Sequence, residues 1–544
     1  HMLNGELPIE VNEVLFRGNL IALQKKDGGI RPIAVGYTWR RLAAKCANLF
    51  VVGNLSQILS PLQLGVGVTG GAEAAIHAAR RYVSTMPDSH VVVKLDFSNA
   101  FNTLRRDCLL EAVARDVPEL YKFVHSSYTV EPILRYESSF LRSQEGPQQG
   151  DPLGPVEFCI TIHPVLKKLR SELRIGFLDD LTLGGYADVV AGDVDLIEKE
   201  AASMGLKLKK SKCEMIVSNT FQLPLNKTFS GFKIIPVSEM RLLEAAVMPG
   251  PEVTKVLQEK TEDLRRAVSR LHLLQAQDAL TLLRYSLSIP KLMYTLRTSH
   301  CHSNPAVEEF DSELRSGLST ILNVDLSGDQ WLQASLPVRD GDIGIRSAVL
   351  LAPSAFLASA AGTTDLQARI LPPAIAIVPD CSVVTALQAW SVQSQSTVPA
   401  GNEAFHQMNW DSACIQRRKE ELLGRTRDPR DHARLLASQA THSADWLFAL
   451  PISVLGLRLS NEAVRVAVGM RLGVKICEPH QCPCGAAVDS MGTHGLSCRK
   501  SAGRHQRHSL INDIIWRAMT KANIQAVKEP SGLTRNDGKR PDGV

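Results

Sequence analysis

The feature that most constrains this chain is Phe177-Leu178-Asp179-Asp180, two adjacent carboxylates between apolar runs, together with a third acid in Val91-Val92-Val93-Lys94-Leu95-Asp96-Phe97. Short apolar runs of this kind read as buried strands, yet both lead into bare acids that make a poor core. Two carboxylates about 4 Å apart at an effective dielectric of about 20 repel by roughly 4 kcal/mol. A fold tolerates that only where a cation or water relieves it. Divalent metal ions handling a phosphoryl group would do so, since two ions clamp the attacking and leaving oxygens together. The economical reading is a two-metal nucleotidyl transferase, with Asp96 and Asp179 ending strands that point into one pocket and Asp180 beside them. A lone Asp-Asp pair is far more often a turn or helix cap; the joint arrangement carries the inference.

At 544 residues the chain is too long for one compact core, and two to four domains are expected. Hydrophobic content of 44% and charged content of 22% are ordinary for a soluble globular protein. A net charge of +5 hints only weakly at nucleic acid. From Arg499 to Val544, ten Lys/Arg stand against four Asp/Glu, an excess suited either to a phosphate-tracking surface or to a solvated tail. Seven of eleven cysteines are scattered singly between Cys46 and Cys414, unlike a secreted disulfide framework. No signal peptide is visible and no apolar run reaches about 18 residues, so no membrane partner is expected. His1-Met2 reads as a cloning remnant or simply as where the sequence begins, and neither terminus reads as a natural domain boundary.

Along the chain, Leu15 to Val35 alternates around Lys25-Lys26-Asp27-Gly28-Gly29 and predicts a hairpin. Helical spacing follows from Arg40 to Leu59, and again over Cys108 to Ser127, Val156 to Leu169 and Leu196 to Met204. Val91 to Leu95 and Phe229 to Ile235 read as strands, and Arg174 to Leu183 as a hairpin with the paired acids at its tip. After Pro249-Gly250-Pro251 the pattern is helical from Val253 to Leu296 and mostly so to Ser460, with Ser382 to Gly401 a candidate linker. Strands alternating with helices and hairpins suggest an α+β palm rather than a doubly wound sheet.

Between the acids lies Gln149-Gly150-Asp151-Pro152-Leu153-Gly154-Pro155. Its glycines permit close backbone approach to a template–nucleotide pair, and Gln149 is placed to hydrogen-bond there; an ordinary Pro/Gly turn is the plain alternative. Asp96-Phe97-Ser98-Asn99-Ala100-Phe101, Gln149-Gly150-Asp151-Pro152 and Phe177-Leu178-Asp179-Asp180 resemble motifs A, B and C of reverse transcriptases. Gly205-Leu206-Lys207-Leu208 with Lys212-Cys213-Glu214 resembles motif D, and Leu242-Leu243-Glu244-Ala245 falls where motif E would lie. The resemblance implies that Asp96, Asp179 and Asp180 hold two Mg²⁺ ions. It makes Phe101 a steric gate against a ribose 2′-hydroxyl, and places Lys25, Lys26, Arg31, Gln149 and Gly150 at the nucleotide. It also makes Lys212 a proton donor to the leaving pyrophosphate; a solvated surface lysine is the alternative. Phe177, Lys209 and Glu244 depart from the family pattern, Glu244 replacing a glycine where backbone should approach the primer.

A second cluster is Cys482-Pro483-Cys484, His494 and Cys498, an order suited to one tetrahedral Zn²⁺, with Cys477 or His480 able to replace one ligand. With Arg507-His508 and Arg540-Pro541-Asp542, this resembles the zinc knuckle and restriction-enzyme-like endonuclease of site-targeting non-LTR retrotransposons. Arg507, His508 and Asp542 are its endonuclease-like residues. The nuclease site would need a further acid and lysine beyond Asp542, so no strand cleavage by this chain is expected.

The expected architecture is an α+β right-hand polymerase, with fingers and palm over residues 1–250 and a helical thumb over 251–330. A mainly helical connector of unassigned role over 331–470 and a zinc-knuckle and truncated endonuclease-like piece over 471–544 would follow. The resemblance implies an RNA-directed DNA polymerase working by target-primed reverse transcription on an RNA template, a DNA primer or target and dNTPs, with action in the nucleus after cytoplasmic synthesis. The rivals are an RNA-dependent RNA polymerase, disfavoured by Phe101, and a decayed copy that only binds RNA. The RNA recognised, the genomic target and the oligomeric state are not written in the sequence.

Overall fold

The computed structural model describes the chain except residues 26–27, 130, 219, 221–226, 501, 529 and 531–544. Lys26 and Asp542 therefore lie outside the described residues. The architecture is α+β, as expected, and the chain divides into two compact units. The first comprises His1–Asp263, Ile289–Asp311 and Ser347–Arg417; the second comprises Leu264–Ser288, Ser312–Arg346 and Arg418–Val544.

The first unit holds two larger sheets. β1 (Gly18–Gln24) and β2 (Ile30–Gly36) form the expected hairpin; β3 (His90–Leu95) follows, then β4 (Ile133–Tyr136) and β5 (Ser139–Arg142). The order β2-β1-β4-β5 makes a four-stranded sheet. β6 (Leu173–Phe177), β7 (Asp180–Tyr186), β8 (Glu214–Val217) and β9 (Lys233–Pro236) complete the second sheet, ordered β6-β7-β3-β8-β9. The central strand explains its own sequence. Val91, Val93 and Leu95 enter one buried cluster while Val92 enters another on the opposite face. A strand covered on both sides reads as an unbroken apolar run, and each side chain so buried contributes about 1.5–3 kcal/mol. Lys94 leaves the pattern and pairs with Glu214 on β8 at 2.6 Å.

Several elements differ from expectation. The helix foreseen over Cys108 to Ser127 is broken at Val117-Pro118, since proline lacks the N–H that continuation needs. The strand foreseen from Phe229 shrinks to β9, because Gly231 adopts a φ of +90° and turns the chain first. The candidate linker after Ser382 is instead the helix Cys381–Ser394, whose Asp380 side chain accepts from the Ser382 N–H and whose Trp390 is fully buried. Its polar composition misleads because the buried stripe is narrow, Ser382, Ala386, Trp390 and Ser394, and itself includes two serines. The reading that no run is long and apolar enough to span a bilayer also needs correction. Thr38–Leu59 and Pro373–Ser394, 22 residues each, are long and apolar enough by length and composition. The few Arg and Lys interrupting Thr38–Leu59 break the run without removing its apolar character.

In the second unit, helices and short turns dominate, and the Cys/His segment forms a two-stranded hairpin of β12 (His480–Gln481) and β13 (Ala487–Val488). β10 (Arg241–Leu242) and β11 (Ala245–Ala246) form a small hairpin of the first unit.

Candidate active site

The five-stranded sheet brings the three acids together by register. β3 pairs antiparallel with β7 so that Leu95 lies opposite Leu181, which sets Asp96, one residue on, beside Asp180 at the start of β7. β6 and β7 are joined by Leu178 and Asp179 alone, with Phe177 opposite Asp180. Leu178 takes a left-handed φ of +57°, unfavourable for a branched side chain, and this turn presents Asp179.

A residue without any sequence signature holds that turn. Gln63 is fully buried; its Oε1 accepts from the N–H of Leu178 at 2.9 Å and of Gly65 at 3.2 Å, and its Nε2 donates to the Leu178 carbonyl at 3.0 Å. The chain around it is laced to β6 through Leu64 N–H to Gly176 O at 2.7 Å and Gly176 N–H to Leu62 O at 2.8 Å. A Cβ on Gly65 would lie 2.7 Å from the Leu178 nitrogen, so only glycine admits the approach. Asp96 is held similarly: its carbonyl accepts from Lys209 N–H at 2.8 Å, and Ser98 N–H donates to Lys207 O at 2.9 Å.

One cavity of about 350 Å³ is lined by Asp96, Asp179, Lys25, Arg31, Phe101, Gln149 and Lys212, with Pro32, Lys209 and the segment from Phe97 to Asn102 completing it. Seven of the residues singled out in the sequence thus share one space. Asp180 lines an adjoining cavity of about 420 Å³ with Asp96, Lys212, Lys94 and Glu244. Gly150 does not line the first cavity. Its φ of +120° and a virtual Cβ 2.5 Å from the Ala34 carbonyl show that the close approach it permits is to β2. Phe101 stacks on Phe158 with centroids 4.8 Å apart, which fixes the ring at the cavity wall.

The electrostatics suit a cation. Burial raises the Asp179 carboxyl above its ordinary value; nearby Asp96 adds to this, while Arg31 and Lys25 oppose it. Asp180 is pushed up to about 6, first by burial and then by Asp179. Clustered carboxylates that resist ionisation without help make a donor set that divalent ions satisfy.

The Gln149 loop is anchored from below by Arg40, a residue that no sequence pattern singles out. Arg40, nearly fully buried, donates to Gln148 Oε1 at 2.5 Å, to Asp151 Oδ2 at 2.6 Å and to the Phe16 carbonyl at 3.0 Å. Ala34 N–H donates to the Gln149 carbonyl at 2.7 Å. Beneath, Tyr128 donates to the buried Glu157 at 3.3 Å, and burial holds the Glu157 carboxyl well above the usual carboxylate range, helped by Asp151. At the β10–β11 hairpin, Leu243 and Glu244 both adopt left-handed φ, +47° and +67°. The turn keeps glycine-type backbone despite Glu244, and Tyr294 donates to the Leu243 carbonyl at 2.9 Å.

In the second unit, ligand atoms of Cys482, Cys484, His494 and Cys498 all lie within 4.8 Å of one another. The Cys482 and Cys498 sulfurs are 3.5 Å apart, and Cys484 Sγ is 3.1 Å from His494 Nε2. Zn–S and Zn–N bonds of about 2.3 and 2.0–2.1 Å imply tetrahedral edges of roughly 3.5–3.8 Å, so the set fits zinc. The Ala486 N–H lowers the Cys484 thiol to about 6, favouring the thiolate that a metal binds. Cys477 is turned instead to the Asp489 carbonyl at 3.2 Å. His508 lies on the helix Ala502–Lys521 and accepts from Asn512 Nδ2 at 3.2 Å; Arg507 belongs to the same helix, its side chain outside the described residues.

Residues 23–243 match the family described as reverse transcriptase (RNA-dependent DNA polymerase). No curated protein matches the chain. Among solved structures, a Candida albicans telomerase complexed with a fragment of telomeric RNA matches at 10% identity and a TM-score of 0.40, covering 82% of this chain and 66% of that one. An apo telomerase from Candida tropicalis, truncated from its C-terminal domain, matches at 13% identity and a TM-score of 0.31, covering 38% of this chain and 51% of that one. The chain thus spans 51% and 66% of these two structures.

Proposed function

With a reverse transcriptase domain over residues 23–243, we propose that this protein is an RNA-directed DNA polymerase of a non-LTR retrotransposon. It extends the 3′-hydroxyl of a nicked target DNA on an RNA template, and does so in the nucleus. The observation that carries the polymerase reading is the single cavity shared by Asp96, Asp179, Lys25, Arg31, Phe101, Gln149 and Lys212. The retrotransposon reading is supported by the Cys/His cluster and by the Arg507-His508 motif that follows it.

Asp96 and Asp179, with Asp180, would hold two Mg²⁺ ions, which supply charge neutralisation for the attacking hydroxyl and the departing pyrophosphate. Lys25 and Arg31 face the incoming triphosphate across the cavity, and the fixed Phe101 ring excludes a 2′-hydroxyl. Gln149, seated on β2 by its own carbonyl, meets the nascent base pair. Lys212 delivers a proton to the pyrophosphate. Cys482, Cys484, His494 and Cys498 would hold one Zn²⁺, which orders a segment with little core of its own.

Primer extension with Mg²⁺ on an RNA template tests the assignment. Wild type should incorporate dNTPs and discriminate against NTPs, and Phe101→Ala should lose that discrimination. Equal use of both by wild type would remove the gate, and failure of wild type to extend any more than Asp179→Ala would favour a chain that only binds RNA.

A further inference from the structure

The four-stranded sheet carries another cleft, at the end of the β1–β2 hairpin opposite Lys25 and Arg31. Seven residues of β1 separate the two ends, roughly 20 Å at strand rise. The cleft encloses about 470 Å³, and its chemistry comes from Arg17, Arg41, Arg135, Tyr37 and Phe140. No carboxylate lines it. Arg17 Nε is buried with no hydrogen-bond partner, and Arg41 is exposed without an ion pair among the described residues. Phe140 is 69% exposed and Tyr37 51%, with Trp39, 71% exposed, two residues beyond. Arg135 and Phe140 sit opposite each other in the β4–β5 register, which sets a guanidinium beside a ring.

Exposed rings interleaved with unopposed guanidiniums suit a strand whose bases are unstacked and whose phosphates are accessible. A duplex hides its bases, and an acidic peptide would leave the rings without a partner. We propose that this cleft binds single-stranded RNA, with Tyr37 and Phe140 stacking bases and Arg17, Arg41 and Arg135 contacting phosphates. The choice of RNA rests on the polymerase reading; the binding of a single strand does not.

The test measures anisotropy of a labelled single-stranded RNA with Asp179→Asn protein, without dNTPs, across a salt series. Single-strand phosphate contacts each contribute a slope of about 0.7 in log K against log salt, so adding Arg41→Ala and Arg135→Ala should lower the slope by about 1.4. Adding Tyr37→Ala and Phe140→Ala should weaken binding about tenfold or more with the slope unchanged, and Tyr37→Trp should restore its share. Unchanged affinity and slope in both double variants, duplex RNA bound as tightly as single strand, or competition by polyglutamate alone would overturn the site. Equal affinity for single-stranded DNA would overturn the assignment to RNA. Binding retained in a protein whose parent fails to extend primers would count against the polymerase reading only.

Discussion

The carboxylate site and the Cys/His cluster solve the problem of gathering ligands in opposite ways. Asp96 and Asp179 come from segments 83 residues apart (179 minus 96) and meet because the antiparallel pairing of β3 with β7, in a sheet buried on both faces, sets their register. Cys482 to Cys498 come from one short stretch, the first two ligands in the turn of a two-pair hairpin and the last two at the helix His494–Ser497, with few buried residues. In the first, packing pre-forms a repulsive arrangement and the fold bears the strain. In the second, little holds the ligands except one another, so a metal bound there would supply folding energy.

Removing one ligand from each site is the sharpest way to break this contrast. Asp179→Asn should cut single-nucleotide incorporation by at least about 10³-fold. The same variant should melt no lower than wild type, because burial already raises this carboxyl and neutralising it relieves repulsion from Asp96. A lowered Tm would show that the acid stabilises the fold. Cys484→Ser should behave inversely: about one zinc per chain falls to near none by elemental analysis, amides of 477–498 exchange faster, and extension of an annealed primer stays within about twofold. Zinc-free wild type with those amides protected would end the metal assignment.

Gln63→Ala probes how rigidly the palm must hold its turn. It removes both amide partners of Leu178, costing about 1–3 kcal/mol in denaturant unfolding. Turnover should fall about 10–100-fold as Asp179 shifts, with KM for dNTP changed less. Unaltered turnover would show that the strand register alone suffices.

The smallest effect is expected at Glu157. Its folded pKa lies above the ordinary 4.5, so between those values the native chain keeps a proton that the unfolded chain has lost. Wild-type stability should therefore fall as pH rises from about 4.5 through the neutral range, whereas Glu157→Gln should lack that component. Parallel stability profiles would mean that the side chain ionises freely beneath the Gln149 loop.

The acids were legible because an apolar run ending in carboxylates is chemically odd, and Phe101 and Gln149 because they stand at set distances from such landmarks. Gln63 was not, since one glutamine within Pro61-Leu62-Gln63-Leu64-Gly65 matches no periodicity; its function lies in a partner 115 residues away. Arg40 is alike, its partners Gln148 and Asp151 lying 108 and 111 residues on. Glu244 illustrates the reverse. Its residue type argued against a glycine-like turn, yet the β10–β11 register imposes left-handed backbone at both Leu243 and Glu244.

Residue chemistry and order along the chain were enough to single out the acids, Phe101 and the Cys/His cluster, because those properties survive in an unfolded strand. Which side chains lock the Leu178 turn, which seat the Gln149 loop, and which rings are left facing water at the far end of the fingers sheet depended on folding. Each is a relation between distant segments, and a relation exists only once burial and register bring its members within bonding distance.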